Sequence, residues 1–223
     1  MGIAERRERE RQMRRQQILD AAKRVFSAKG FNGATVESIA EEAELSPSTL
    51  YLYFKNKDEL YASLNLQMLE VLNQVIQEVC NQKQLSAGQK IQALGDALYK
   101  VYEFDPLILI NVLQFQSSEP LRQLSSQLLD KIKEGSRKAL RNIASIFQQG
   151  IEDRVFKQHN PIALADIVWS VFAGLVLWEE SKRALNPHKD FLRPTLQLAM
   201  EIIRKGVELP LSATRDSRDP DHL

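Results

Sequence analysis

Almost every segment of the 223-residue chain returns its apolar side chains every three or four residues, and none alternates convincingly with a period of two. A pleated strand needs the second pattern to bury one face, so the chain is committed to helices packed on helices, an all-α fold. With only nine Gly and eight Pro, turns are scarce and the helices are long. Apolar residues make up 43% and charged residues 26%, the usage of a globular chain able to build a sizeable core.

The pass along the chain places a first helix with Ile18, Leu19, Ala22, Val25 and Phe26 on its inner face, stopping at Gly30, where a left-handed backbone is cheap. A short helix follows, capped by Thr35, with Val36, Ile39, Ala40 and Ala43 inward. Ser46 caps the next, and Pro47 occupies its first turn. Asn56 and Glu59 form a capping-box pattern for a fourth. Longer amphipathic helices then begin near Asp58, after Ser86, and at Asp105-Pro106, Glu119-Pro120, Asn160-Pro161 and Asp190. These starts divide the chain into an Arg-rich arm or helix extension (1–15), a three-helix domain (16–57), a six-helix body (58–208) and an aperiodic tail (209–223) expected to be disordered.

The stretch "SPSTLYLYF", Ser46 to Phe54, is the informative one. On a helical wheel Leu50 and Phe54 point to the core, which leaves Ser48, Thr49, Tyr51 and Tyr53 on the other sides with no charge among them. Two short helices joined by a tight turn and braced by a first make a helix-turn-helix, whose second helix lies in the DNA major groove. Hydroxyls and rings suit that place, since they reach phosphates, base edges and thymine methyls. Lys55 and Lys57 supply flanking cations. The plain alternative is that Tyr51 and Tyr53 only pack against neighbouring helices.

Residues Gln17 to Leu60 resemble the amino-terminal domain of the tetracycline-repressor (TetR/AcrR) family of bacterial regulators, through "ILDAAKRVF", "KGF", "T-x-x-x-IA-x-x-A", "S-x-x-T-LY-x-YF" and "K-x-K-x-EL". The resemblance implies a homodimeric repressor that binds double-stranded operator DNA through this domain and a small molecule through its carboxy-terminal body. It implies that Thr35 and Lys57 anchor phosphates and that Pro47, Ser48, Thr49, Tyr51 and Tyr53 face bases and backbone. One departure stands out. Many members have Gly at the turn where this chain has Glu44, which costs about 1 kcal/mol if the residue takes positive φ.

Net charge is +1, and residues 1–60 are equally balanced, so bulk basicity argues for no nucleic-acid partner. Local arrangement has to. The start "AERRERERQMRRQQ" holds six arginines, Arg14 and Arg15 nearest the domain, against three glutamates. It reads equally as an arm reaching phosphates and as a solvated helix laced by i,i+4 pairs.

In the body, Tyr99, Tyr102, Asn111, Gln114, Phe115, Trp169 and Phe172 are candidates to line a pocket for a largely apolar effector. The helix from Pro161 is apolar nearly all round, and the last helix carries a second stripe. Ala173, Gly174, Leu177 and Trp178 with Leu192, Leu196, Met200 and Ile203 are therefore expected to form a dimer seam. The apolar run Ile162–Trp178 falls short of the roughly 20 residues that cross a bilayer, and no leader-like stretch opens the chain, so a cytoplasmic place is expected without a membrane. The single Cys80 and three dispersed histidines offer no metal-ligand spacing. No nucleotide loop, serine elbow or zinc-protease motif occurs, and no catalytic residue or cofactor is expected. A helical adaptor that binds proteins and not DNA is the competing reading.

Overall fold

The computed structural model describes residues 2–106, 109–110, 113, 125–185 and 191–210. Among them are eight α-helices: α1 (Ile3–Gly33), α2 (Val36–Glu42), α3 (Pro47–Tyr51), α4 (Lys57–Cys80), α5 (Ala87–Phe104), α6 (Ser126–Glu152), α7 (Pro161–Leu185) and α8 (Leu192–Val207). The all-α expectation holds. Extended pairing among these residues is limited to one isolated bridge, Phe156 to Glu208. The helix starts expected at Glu119-Pro120 and Asp190, and the tail from residue 211 on, lie outside the described residues.

The caps form where the sequence places them. Thr35 Oγ1 accepts the Ser38 N–H, and Ser38 Oγ accepts the Thr35 N–H, a reciprocal box. Asn56 Oδ1 accepts the Glu59 N–H, while Glu59 Oε2 reaches back to the Lys55 N–H instead of that of Asn56. Ser86 and Gln89 close a similar box, and Asn160 Oδ1 accepts from Ile162 and Ala163. Gly30 takes φ 68° and ψ 171°, a region open only to glycine, and breaks α1 there.

The chain divides into two compact units, residues 1–71 with 103–136 and residues 72–102 with 137–223. The cut expected at residue 57 falls at the start of α4. What the sequence does not convey is that the described residues between 103 and 136 cluster with the amino-terminal helices. In the first unit Phe26, Phe31 and Tyr61 meet edge to face, with centroids 5.1 and 4.9 Å from the tyrosine ring, and Lys23 pairs with the buried Asp105.

In the second unit two charges are buried with their partners. Lys90 donates to the Cys80 carbonyl (3.1 Å) at the end of α4 and to Gln149 Oε1 (2.9 Å). Glu179 accepts the Phe191 N–H (3.0 Å) at the start of α8 and pairs with Lys182. Burial works against its charge, but those bonds and the nearby Arg183 together hold its pKa below the usual carboxylate value.

α7 corrects one expectation. By length and composition Pro161–Arg183, with mean hydropathy 1.8, is apolar enough to cross a membrane, because a window average tolerates the Asp166 that interrupts the run. Only 22% of that window is buried within the chain.

α8 corrects another. Leu192, Leu196 and Met200, expected on the dimer seam, are buried within the chain and have no surface to offer. Met200 packs over Gly95, where a Cβ would lie 3.2 Å from its Cγ.

Gly150 marks the tightest approach. A methyl there would overlap the buried Phe156 ring, with even Cγ only 2.7 Å away, although alanine is otherwise the better helix former. Gly150→Ala is expected to destabilise by about 1–3 kcal/mol. The denaturant midpoint checks this, and a gain in stability would contradict the packing.

Candidate nucleic-acid interface

α2 ends in a Schellman turn: the Leu45 N–H reaches the Ala40 carbonyl (2.9 Å) and the Glu44 N–H that of Glu41 (3.0 Å). Glu44 takes φ 56°, the left-handed conformation that the missing glycine would have made cheap. Its side chain is exposed. The chain leaves this turn at Ser46, whose Oγ accepts the Thr49 N–H and lies 2.8 Å from the hydroxyls of both Ser48 and Thr49. α3 then places Leu50 in the core, and Phe54 follows it.

On the outside stand Pro47, Ser48 and Tyr51, with Thr49 and Tyr53 half-buried. Tyr51 is 50% exposed, so packing against neighbouring helices does not account for that ring. Leu52, which the sequence reading passed over, is 76% exposed. The signal was there: a residue two places from buried Leu50 must point away from the core, and a bare leucine at such a place suits contact with thymine methyls.

The flanking polar residues sort into two kinds. Thr35 is exposed and its hydroxyl accepts from Ser38, which leaves the hydroxyl proton to donate outward. Lys55 is exposed. Lys57 is half-buried: its ammonium donates to the carbonyls of Phe31 (2.8 Å) and Ala34 (3.0 Å) and sits 4.4 Å from the Phe31 ring centroid. It ties the end of α1 to the start of α4, with one N–H left for an outside acceptor. Arg15 also turns inward, stacking 4.7 Å from the Phe54 ring and donating to Ser63 Oγ (3.0 Å). Arg14 stays exposed and donates to Gln17, which in turn donates to the Ala43 carbonyl (2.9 Å).

In the second unit the structure pairs Tyr99 with Tyr102 (6.0 Å between centroids) and Trp169 with Phe172 (5.7 Å). Tyr102 donates to Glu180 Oε1 (2.9 Å), and Arg183 lies over its ring. Phe172 is buried. Asn111, Gln114 and Phe115 lie outside the described residues. Of the expected seam, Gly174 and Trp178 are exposed, and Ala173, Leu177 and Ile203 are half-buried.

Residues 18–64 match the family described as "Bacterial regulatory proteins, tetR family". An uncharacterised HTH-type transcriptional regulator, YhgD of Bacillus subtilis, is 25% identical over 174 residues, 78% of this chain and 88% of that protein. The fatty acid metabolism regulator protein of the same organism is 29% identical over 149 residues, 67% and 74% of the two chains. The crystal structure of the transcriptional regulator FadR from Bacillus subtilis in complex with stearoyl-CoA superposes with a TM-score of 0.68 at 23% identity, over 86% of this chain and 99% of that one. That last likeness shows the fold.

Glu44 yields the prediction of this interface. Glu44→Gly is expected to raise stability by about 1 kcal/mol, because glycine adopts the same positive φ without the Cβ clash at an exposed site. Chemical denaturation measures it, and a loss would show that the carboxylate supports the turn.

Proposed function

The chain belongs to the tetR family of bacterial regulatory proteins, and we propose that it is a repressor that grips a palindromic operator as a homodimer and is released by a small molecule. The observation that carries this is the uncharged outer face of α3, where Ser48, Tyr51 and Leu52 stand exposed while Leu50 and Phe54 are buried. That face carries hydroxyls, a ring and a bare leucine, which fit a groove lined with donors, acceptors and methyls. Thr35, Lys55 and the remaining N–H of Lys57 take backbone phosphates, which fix register. A regulator of this kind works in the cytoplasm, where its operator is.

One copy of α3 reads one half-site, and two-fold pairing supplies the second about 34–36 Å away or at a related spacing. Support for pairing comes from the bare side of α7 and α8. Trp178 and Ile202 are 63% and 62% exposed, and Ile167, Leu185, Phe191 and Leu198 join them. Gly174 has nothing within 4 Å of a would-be Cβ, room for close approach. The seam we propose therefore keeps Gly174 and Trp178 and moves to Phe191, just ahead of α8, and to Leu198 and Ile202 on it.

The effector belongs to the second unit, and Tyr99, Tyr102, Trp169 and Phe172 are its candidate lining. We place it in a largely apolar, acyl-bearing class, because the relatives include a fatty acid metabolism regulator and a regulator solved with stearoyl-CoA. It acts by preferring an arrangement of the dimer in which the two recognition helices no longer match the half-sites.

A gel-shift on the DNA upstream of the protein's own gene tests this. Wild type is expected to be retained and then released by stearoyl-CoA, and Tyr51→Ala to bind about tenfold more weakly, equal to about 1.4 kcal/mol. Equal retention of both proteins would remove α3 from the interface. Trp178→Glu and Ile202→Glu are each expected to give a monomer by light scattering, and a persistent dimer would remove those side chains from the seam.

A further inference from the structure

α1 carries one stripe along its length. Arg7, Arg11 and Arg14 are followed, at the same spacing of three or four, by Ile18, Ala22 and Val25. Ile18, Ala22 and Val25 are buried in the domain, and the three arginines are exposed. The side of α1 that packs on the domain therefore runs on past it, and arginine replaces aliphatic residues where the domain ends. There Arg7, Arg11 and Arg14 share an open cleft of ≈ 800 Å³ with Leu52 and Tyr53, at the end of the recognition helix.

The acids of the extension turn to other partners. Glu10, which also lines the cleft, is held by Arg6 Nε at 2.9 Å. Glu5 caps the Gly2 N–H, and Glu8 accepts from Gln12. Among the described residues no carboxylate forms an ion pair with Arg7 or Arg11.

We propose that Arg7 and Arg11, with Arg14, form a second DNA contact, a phosphate-binding edge that grips the duplex backbone beside the groove entered by α3. It rests on the DNA-binding reading above and extends it to residues outside the family match at 18–64. Guanidinium groups suit phosphate oxygens because they offer two parallel N–H donors. Arg7 and Arg11 lie roughly 6 Å apart along the helix axis, on a rod that is already formed. The edge adds affinity without sequence preference, because phosphates are the same at every base pair. A basic stripe would also attract an acidic protein, but this one is continuous with the exposed end of α3, which makes duplex DNA its occupant.

Fluorescence anisotropy of the full-length protein with a labelled duplex from its upstream region, from about 50 to 200 mM salt, tests this. Arg7→Gln, Arg11→Gln and the double variant are compared with Arg9→Gln, which removes the same charge from the opposite side of α1. Each lost phosphate contact is expected to flatten the slope of log affinity against log salt by about 0.9, so the double variant loses about 1.8 per protomer. Affinity should fall by a similar factor on specific and random duplexes, and Arg9→Gln should keep the wild-type slope. An unchanged slope in the double variant, beside a steep one in wild type, would overturn the edge while leaving the α3 site intact. An equal loss in Arg9→Gln would also overturn it, since charge alone and not its placement would then explain the effect. If wild type itself retains no duplex at low salt, the regulatory reading falls and the edge with it.

Discussion

A single left-handed residue aims the recognition helix. Because Glu44 takes positive φ, the chain leaves α2 by a Schellman turn and enters α3 at the angle that buries Leu50 and Phe54 and turns Ser48, Tyr51 and Leu52 outward. A right-handed residue there would continue α2 and carry Ser46 away from its capping place. The strain of about 1 kcal/mol is offset by the buried leucine and phenylalanine beyond the turn, each worth roughly 1.5–3 kcal/mol. Lys57 then fixes the other end of the motif by holding two carbonyls from the end of α1. Turn and clamp together make the outer face of α3 a fixed surface.

Local chemistry was legible in the sequence, and distant partners were not. Thr35, Ser46, Asn56, Ser86 and Asn160 cap helices because a cap depends on residues two to four places away. Its position makes Lys57 a flanking cation beside a helix start, and the family resemblance implies a phosphate anchor. Its carbonyl partners lie 26 and 23 residues back, beyond any local pattern. The stripe Leu192, Leu196 and Met200 illustrates a different limit. Periodicity says that a face is covered but not by which chain, and an intrachain core has the same 3.6-residue signature as a seam. The exposed Phe191, Leu198 and Ile202, on the side away from that stripe, become informative only once the stripe is seen to be occupied.

Buried charge in the second unit follows one rule. The ammonium of Lys90 sits at the carbonyl end of α4, and the carboxylate of Glu179 sits at the N–H end of α8. Each completes a backbone group that its helix cannot satisfy and matches the sign of the local dipole. Lys90 carries no signal in the sequence, and Glu179, adjacent to Glu180 on a helix, reads there as part of a solvated face, which its burial corrects. Their burial is tolerated because the helix ends supply partners that water would otherwise provide.

The unbroken helical stretch of α1 ahead of Gly30 has a mechanical corollary. A floppy basic tail can follow a duplex through any bend, and it pays for that freedom in ordering entropy when it settles. A rod continuous from Ile3 to the break at Gly30 spans roughly 40 Å and loses little on contact, but it cannot bend to meet its target. If the proposed arginine edge grips the duplex, operators whose local curvature presents phosphates along that line would be favoured over equally matched sequences that curve away, and the amino terminus would act as a gauge of duplex shape.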